Sequence, residues 1–274
     1  VALNREALIR LLSDGDPRTV ELVKEQLIDC EEPVKVLRDL ANCDDAVASR
    51  LMRDVLKSLQ LQEDEDDFDL YCRFFCDHAD LEPALWHLCR LLDPQENPQE
   101  ASHQIDLWAQ HLSTELRQCE SSSCRIKTLS HYMTVDLGFR GNSEDYYKPG
   151  NSLLTSVIRS RQGLPITLVL LFRMIALRAG MIVDGVNLPG HFIARHEGVF
   201  FDPFHGGHEL AREDCELLVA RQGRTLHERH LRPANPRQIL SRILANLKYA
   251  YELLGDEEHE HKVARWLAAL HLSH

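Results

Sequence analysis

The chain has 274 residues, enough for one large domain or two smaller ones with a substantial core. Its 43 Asp and Glu outweigh 31 Lys and Arg, a formal charge of -12 that argues against a protein that wraps duplex nucleic acid or binds anionic membranes. The eight cysteines form no CxxC pair of the kind that opens structural zinc sites, and their scatter through helix-like segments reads as reduced, buried thiols of a cytoplasmic protein. Val1–Arg10 lacks a long apolar leader, and the longest apolar stretch, Leu164–Leu177, is too short to span a bilayer and contains Arg173.

The first 62 residues read as helical hairpins of HEAT type. Apolar stripes at Leu3, Leu8, Leu11, Leu12 and at Val20, Leu22, Val23, Leu27 flank the breaker Asp14–Pro17. Two more follow, Val34–Leu40 after Pro33 and Val47–Leu59 after Asp44 and Asp45. The acidic run Glu63–Asp69 marks a break in composition and reads as a solvated linker or a helix start. Residues 63–140 then continue as helical segment, with Trp86–Leu92 ended by Asp93–Pro94 and a second stripe from Ile105 to Leu116.

Residues 141–234 change character. Asn151 can cap a helix carrying Leu153, Leu154, Val157 and Ile158, and Gly163 stops it. Pro165 suits the first position of a second helix that is apolar nearly all round to Leu177 and ends at Gly180, so this helix is central and buried. A strand over Met181–Val186 and a hairpin of His191–Arg195 with Val199–Asp202 follow, the clearest sheet in the chain. Residues 235–274 close it with a helical hairpin opened by Asn235–Pro236 and turned at Gly255.

The hairpin register decides whether His191 meets Asp202. A two-residue loop at His196–Glu197 sets them directly opposite, and one at Glu197–Gly198 puts Asp202 opposite Ile193, a diagonal step from His191 on the same face. A three-residue loop separates them. In the first two cases a carboxylate can fix the imidazole tautomer and leave the other nitrogen as a base, and the pair then needs a nucleophile at a helix start, where the dipole lowers a thiol pKa. The start at Gly163–Leu164–Pro165 is the place for one, and it holds none.

Four motifs stand in order: YYxPxNSxL from Tyr146, RxGxPI from Arg161, xPGHF from Leu188 and DPFxGG from Asp202. On these, Asn151–Gly207 resembles the core of the bacterial SirB-type, transglutaminase-like family, related to domains of some eukaryotic F-box proteins, with the similarity running from Gly141 to Leu254. The resemblance implies a superfamily whose active members open the helix with Gly-x-Cys, the cysteine fifteen residues ahead of the closing glycine. Counting back fifteen from Gly180 reaches Pro165, while His191 and Asp202 fall on the family's histidine and aspartate. The SirB-type branch commonly carries this proline, and its C-terminal helices are similar to tetratricopeptide packing.

The expected fold is mainly helical α+β, with a small antiparallel sheet on the buried helix. The expected function is that of a non-catalytic protein-binding or scaffold module with vestigial His191 and Asp202 and with Pro165 at the nucleophile position, taking a protein or peptide partner and no cofactor. The alternative is a cysteine-dependent acyl transferase or protease whose nucleophile is displaced to Cys119, Cys124 or Cys215. Thr167, about 200° round the helix from Pro165, points its hydroxyl elsewhere. His205 and His208, separated by two glycines and beside Asp202 and Glu209, read as a loop, so no metal is expected there. The arginines from Arg221 to Arg232, with His227 and His230, read as a solvated connection, and no reader motif supports nucleic-acid work.

Overall fold

The computed structural model describes residues 5–13, 17–28, 36, 40 and 45–272. The chain divides into two compact units, residues 1–67 and 68–274.

The first unit contains α1 (Arg5–Ser13), α2 (Pro17–Ile28) and the start of α3 (Ala46–Phe74). Leu8, Leu12, Val20, Val23, Leu27, Leu40, Ala48 and Met52 recur at three- and four-residue spacing and form its core, while Leu11 and Leu22 face solvent. The stripe from Val34 to Leu40 lies largely outside the described residues. The acidic run Glu63–Asp69 is not a helix start, because it lies inside α3; the boundary between the two units falls within it. Glutamate is a good helix former, and Phe68 and Cys72, one turn apart, are fully buried and carry the helix through the charged stretch. Asp69 also accepts a 2.9 Å hydrogen bond from Arg73 Nε one turn on.

The second unit places α4 (Leu81–Leu92) and α5 (Pro98–Leu116) first, their N-termini capped by the side chains of Asp80 and Asn97. Next come α6 (Ser122–His131), the two-residue strand β1 (Arg140–Gly141), α7 (Leu154–Ser160) and β2 (Gln162–Gly163), which pairs in parallel with β1. The helix α8 (Pro165–Arg178) is buried from Pro165 to Phe172 and from Met174 to Ala176. It packs on α5 and on the sheet of β3 (Asp184–Leu188), β4 (His191–His196), β5 (Val199–Asp202) and β6 (His208–Leu210), antiparallel in that order. The hairpin expected in the sequence is therefore the centre of a four-stranded sheet. Its edge strand β6 is too short and too polar to read as a strand in isolation.

Alternation on β4 sends Phe192 and Ala194 into the main core with Phe201, and Ile193 into a second cluster with Val186, Leu188, Cys215, Val219 and Leu231. That second cluster covers the outer face with α9 (Arg212–Ala220). Asn235 caps α10 (Pro236–Leu254) by accepting from Gln238 N at 2.8 Å, and Gly255 ends it in the left-handed conformation. Against α10 lies α11 (Glu257–Leu272), whose Trp266 is fully buried edge-on to Phe68 at 5.0 Å. Arg221, Arg224, Arg229 and Arg232 are exposed in the connection between α9 and α10. No helix among the described residues is long and apolar enough to cross a membrane.

Candidate functional site

The turn between β4 and β5 is Glu197–Gly198, both with positive φ (47° and 87°), the geometry that matches the twist of a two-residue hairpin. Pairing of Ala194 with Phe201 and of Arg195 with Phe200 continues to set Asp202 against Ile193. His191 is thus one diagonal step from Asp202, and its Nε2 donates to Asp202 Oδ2 at 2.7 Å. The side chain of Asp202 is 3% exposed.

Asp202 is held from several sides. Its Oδ1 accepts from Phe204 N at 3.0 Å, and its carbonyl accepts from Gly207 N at 2.7 Å. A second imidazole also reaches Oδ2: His205 Nδ1 donates to it at 2.7 Å from the end of the short turn Pro203–His205. Burial pushes the Asp202 carboxyl up, but the bonds and charges of His191 and His205 outweigh it and hold the group below the usual range. His205 as a partner of Asp202 was missed in the sequence. The Asp-x-x-His spacing at the end of a strand is the signal for it, since one tight turn brings the two together. The turn closes through Gly206 and Gly207, both left-handed, and a Cβ on Gly207 would stand 2.2 Å from Ser130 Oγ.

Phe204 roofs this cluster. Its ring lies edge-on to His191 at 6.1 Å and to Tyr146 at 6.2 Å, and it approaches Gly141 so closely that a Cβ there would meet the ring at 2.6 Å. The motif residues Tyr146, Asp202–Phe204 and the strand β1 are in this way parts of one wall.

At the start of α8, Pro165 occupies the first helical position and is buried. Thr167 Oγ1 accepts from Leu164 N at 3.0 Å and donates to Asn151 O at 2.6 Å, so its hydroxyl is engaged in capping, in keeping with the angular offset from Pro165. Asn151 does not cap α7, which starts at Leu154 behind Leu153. Its Nδ2 donates instead to Asp145 O at 2.7 Å and Tyr146 O at 3.0 Å, while its Oδ1 accepts from Asn142. Asparagine offers donors and an acceptor together, and a loop with unpaired carbonyls uses both. Arg161, the motif arginine, stacks its guanidinium over Trp108 at 4.5 Å and Phe139 at 4.8 Å, which ties the helix start to α5.

The expectation of buried thiols holds for Cys72, Cys89 and Cys215 only. Cys76 and Cys124 are exposed and Cys119 is half-buried, while Cys30 and Cys43 lie outside the described residues. Burial pushes the thiols of Cys72 and Cys215 up to about 12 and about 11, and raises that of Cys89. Cys124 is raised by its hydrogen bond with Cys119. Of the candidate metal ligands, His191, Asp202 and His205 bring three ligand atoms within 4.8 Å of one another.

The sequence matches known proteins. It is 34% identical over 157 residues to a UPF0162 protein of Xylella fastidiosa, covering 54% of this chain and 56% of that protein. It is 32% identical over 180 residues to a UPF0162 protein of Pseudomonas aeruginosa, covering 64% of this chain and 66% of that protein. The human F-box only protein 21 is 29% identical over 165 residues, which cover 53% of this chain and 26% of that protein. The chain thus spans little more than half the length of the first of these curated relatives. No solved structure matches it. The sequence profile of the transglutaminase-like superfamily matches residues 99–245, starting at α5, well ahead of Gly141, and over half of the chain; the chain belongs to that superfamily.

Proposed function

We propose that this chain is a non-catalytic transglutaminase-like module that acts through protein contacts, His191 and Asp202 being retained and Pro165 standing at the nucleophile position. The observation that carries the reading is the start of α8. The place where a helix dipole would activate a thiol holds a buried proline, and the hydroxyl of Thr167, two residues on, is committed to the cap. The raised thiols of Cys72, Cys89, Cys124 and Cys215 support it, since a cysteine nucleophile needs a lowered pKa. Cys215 in particular, on α9, is fully buried, and burial together with the charges of Asp214 and Asp202 raises its thiol. The finer placement in a SirB-type branch rests on the same proline and the four motifs. A tetratricopeptide-like role for the C-terminal hairpin rests on the close packing of α10 on α11. The free cysteines fit a cytoplasmic setting.

The partner we infer is a protein segment. A groove of about 410 Å³ between α4 and α5, lined by Tyr71, Pro83, Trp86, Arg90 and Pro98 among others, offers aromatic and proline faces beside a cation. Such a surface suits an extended peptide carrying an acidic residue. A second reading keeps a displaced cysteine nucleophile and is favoured by the His191 to Asp202 bond, which leaves His191 Nδ1 uncommitted among the described residues.

One experiment separates them: the alkylation rate of each cysteine near pH 6, read by mass spectrometry in the wild type and in His191→Ala. Uniformly slow thiols in both proteins are expected. A single fast thiol that slows in His191→Ala overturns the non-catalytic reading and identifies the nucleophile.

A further inference from the structure

We propose that His191, Asp202 and His205 form a binding site for a divalent metal ion of the zinc, cobalt or iron class. This goes beyond the reading as a protein-contact module and does not depend on it.

The geometry supplies the donor set. His191 Nε2, Asp202 Oδ2 and His205 Nδ1 lie within 4.8 Å of one another, and each nitrogen is 2.7 Å from the carboxylate oxygen. Two imidazoles and one carboxylate are the ligands that ions of this class prefer, whereas magnesium and calcium favour sites made of oxygen. A tetrahedral ion with bonds of about 2.1 Å needs its donors about 3.4 Å apart, so the carboxylate and each ring must separate by about 0.7 Å, and the two ring nitrogens, now within 4.8 Å of each other, must settle at the same spacing. The neutral imidazoles bind through the nitrogens that now donate to Oδ2, with their protons carried on His191 Nδ1 and His205 Nε2.

The mounting supports the same conclusion. His191 stands at the start of β4, and Asp202, at the end of β5, has its second oxygen fixed by Phe204 N. That bond orients the carboxylate as an outer-shell partner does at a metal centre. His205 is held on a three-residue turn closed by two left-handed glycines. A cavity of about 270 Å³ opens on Asp202, His205 and His208, with Leu210, Leu217 and Leu218 as apolar walls. It has room for metal-bound water, and it places His208 on the rim as the residue that can supply a further ligand. The His205 side chain is 61% exposed and provides the way in, whereas Asp202 is buried. Spacing along the chain brings together His205, His208, Asp202 and Glu209; the ligand that completes the set, His191, comes from the neighbouring strand and appears only once the register is fixed.

The test titrates the full chain with cobalt(II) and then displaces it with zinc(II). One equivalent should bind with a Kd of about 10 µM or tighter. Visible d–d bands should appear without the near-ultraviolet charge-transfer band that a thiolate ligand gives. His205→Ala, a change at an exposed side chain whose folding is checked by circular dichroism, should weaken cobalt and zinc binding at least ~10-fold. Asp202→Asn should weaken it as well, in protein shown to be folded. Absence of binding, a thiolate band, or an affinity unchanged in folded His205→Ala each overturns the proposal.

Discussion

The two halves of the transglutaminase-like site have been built to different ends. At the start of α8 the polar groups serve structure: Thr167 and Asn151 knit the helix to the preceding loop, and Arg161 lies against the rings of Trp108 and Phe139. On the sheet, two imidazoles converge on one oxygen of the buried Asp202 carboxylate, an arrangement that a fold under no demand beyond stability does not require. The difference teaches that one fold can commit a helix start to structure and still keep a polar cluster on the facing sheet. The helix half serves as architecture, and the strand half holds groups that can bind or move a proton.

If the helix half is architectural, its polar groups must carry stability. Asn151→Ala removes the partner of the part-buried Asp145 and Tyr146 carbonyls and of the buried Asn142 amide, and should lower unfolding stability by about 3 kcal/mol, read from urea midpoints. A change under about 1 kcal/mol would show that this half is no more structural than the other.

On the strand half, Gly207→Ala introduces a Cβ into Ser130 and a side chain at φ 74°. It should lose about 2–3 kcal/mol and weaken the hold on His205. The measurement is thermal or urea unfolding, with the His205 ring signals followed by NMR. Unchanged ring signals would dissociate the glycine turn from the site.

Pro165→Cys puts a thiol at the junction of the halves. Near pH 6 it should alkylate about 10-fold faster than the same thiol in the Pro165→Cys, His191→Ala double variant, which is about 1.4 kcal/mol of coupling. Equal rates would mean that the two halves no longer address each other.

The smallest effect is in the acid limb of stability. The Asp202 carboxyl is held below its usual range, so its contribution is complete above the unfolded value of about 3.9 and is lost as pH falls through the folded value. The difference in urea midpoint between wild type and Asp202→Asn should therefore be constant from pH 6 to 5 and shrink below about pH 4. A difference that persists to the lowest pH would place the role of Asp202 in packing rather than charge.

Much of this was legible in the residues. Pro165 after Gly163, the apolar surround to Leu177 and the cap at Asn235 each name their own element, because helix periodicity and capping are local properties. The His191 and Asp202 pair was legible as two registers out of three, and the positive φ at Glu197 and Gly198 selects one of them. His205 was not paired with Asp202, because attention to spacing set it against His208. The continuity of α3 through the acid run was hidden because charge density says more about solvation than about backbone conformation. Which thiols are buried depends on packing between distant segments, as with Cys215 beneath the sheet, and no local pattern reports it.

The stacking of Arg161 between Trp108 and Phe139 bears on how this module can be inherited. A gene fragment starting at Gly141 would carry all four motifs yet leave Arg161 without both rings and one flank of α8 bare of α5. The transferable segment must therefore begin ahead of α5, and recombination joints in relatives should cluster before residue 99, where the superfamily match also begins.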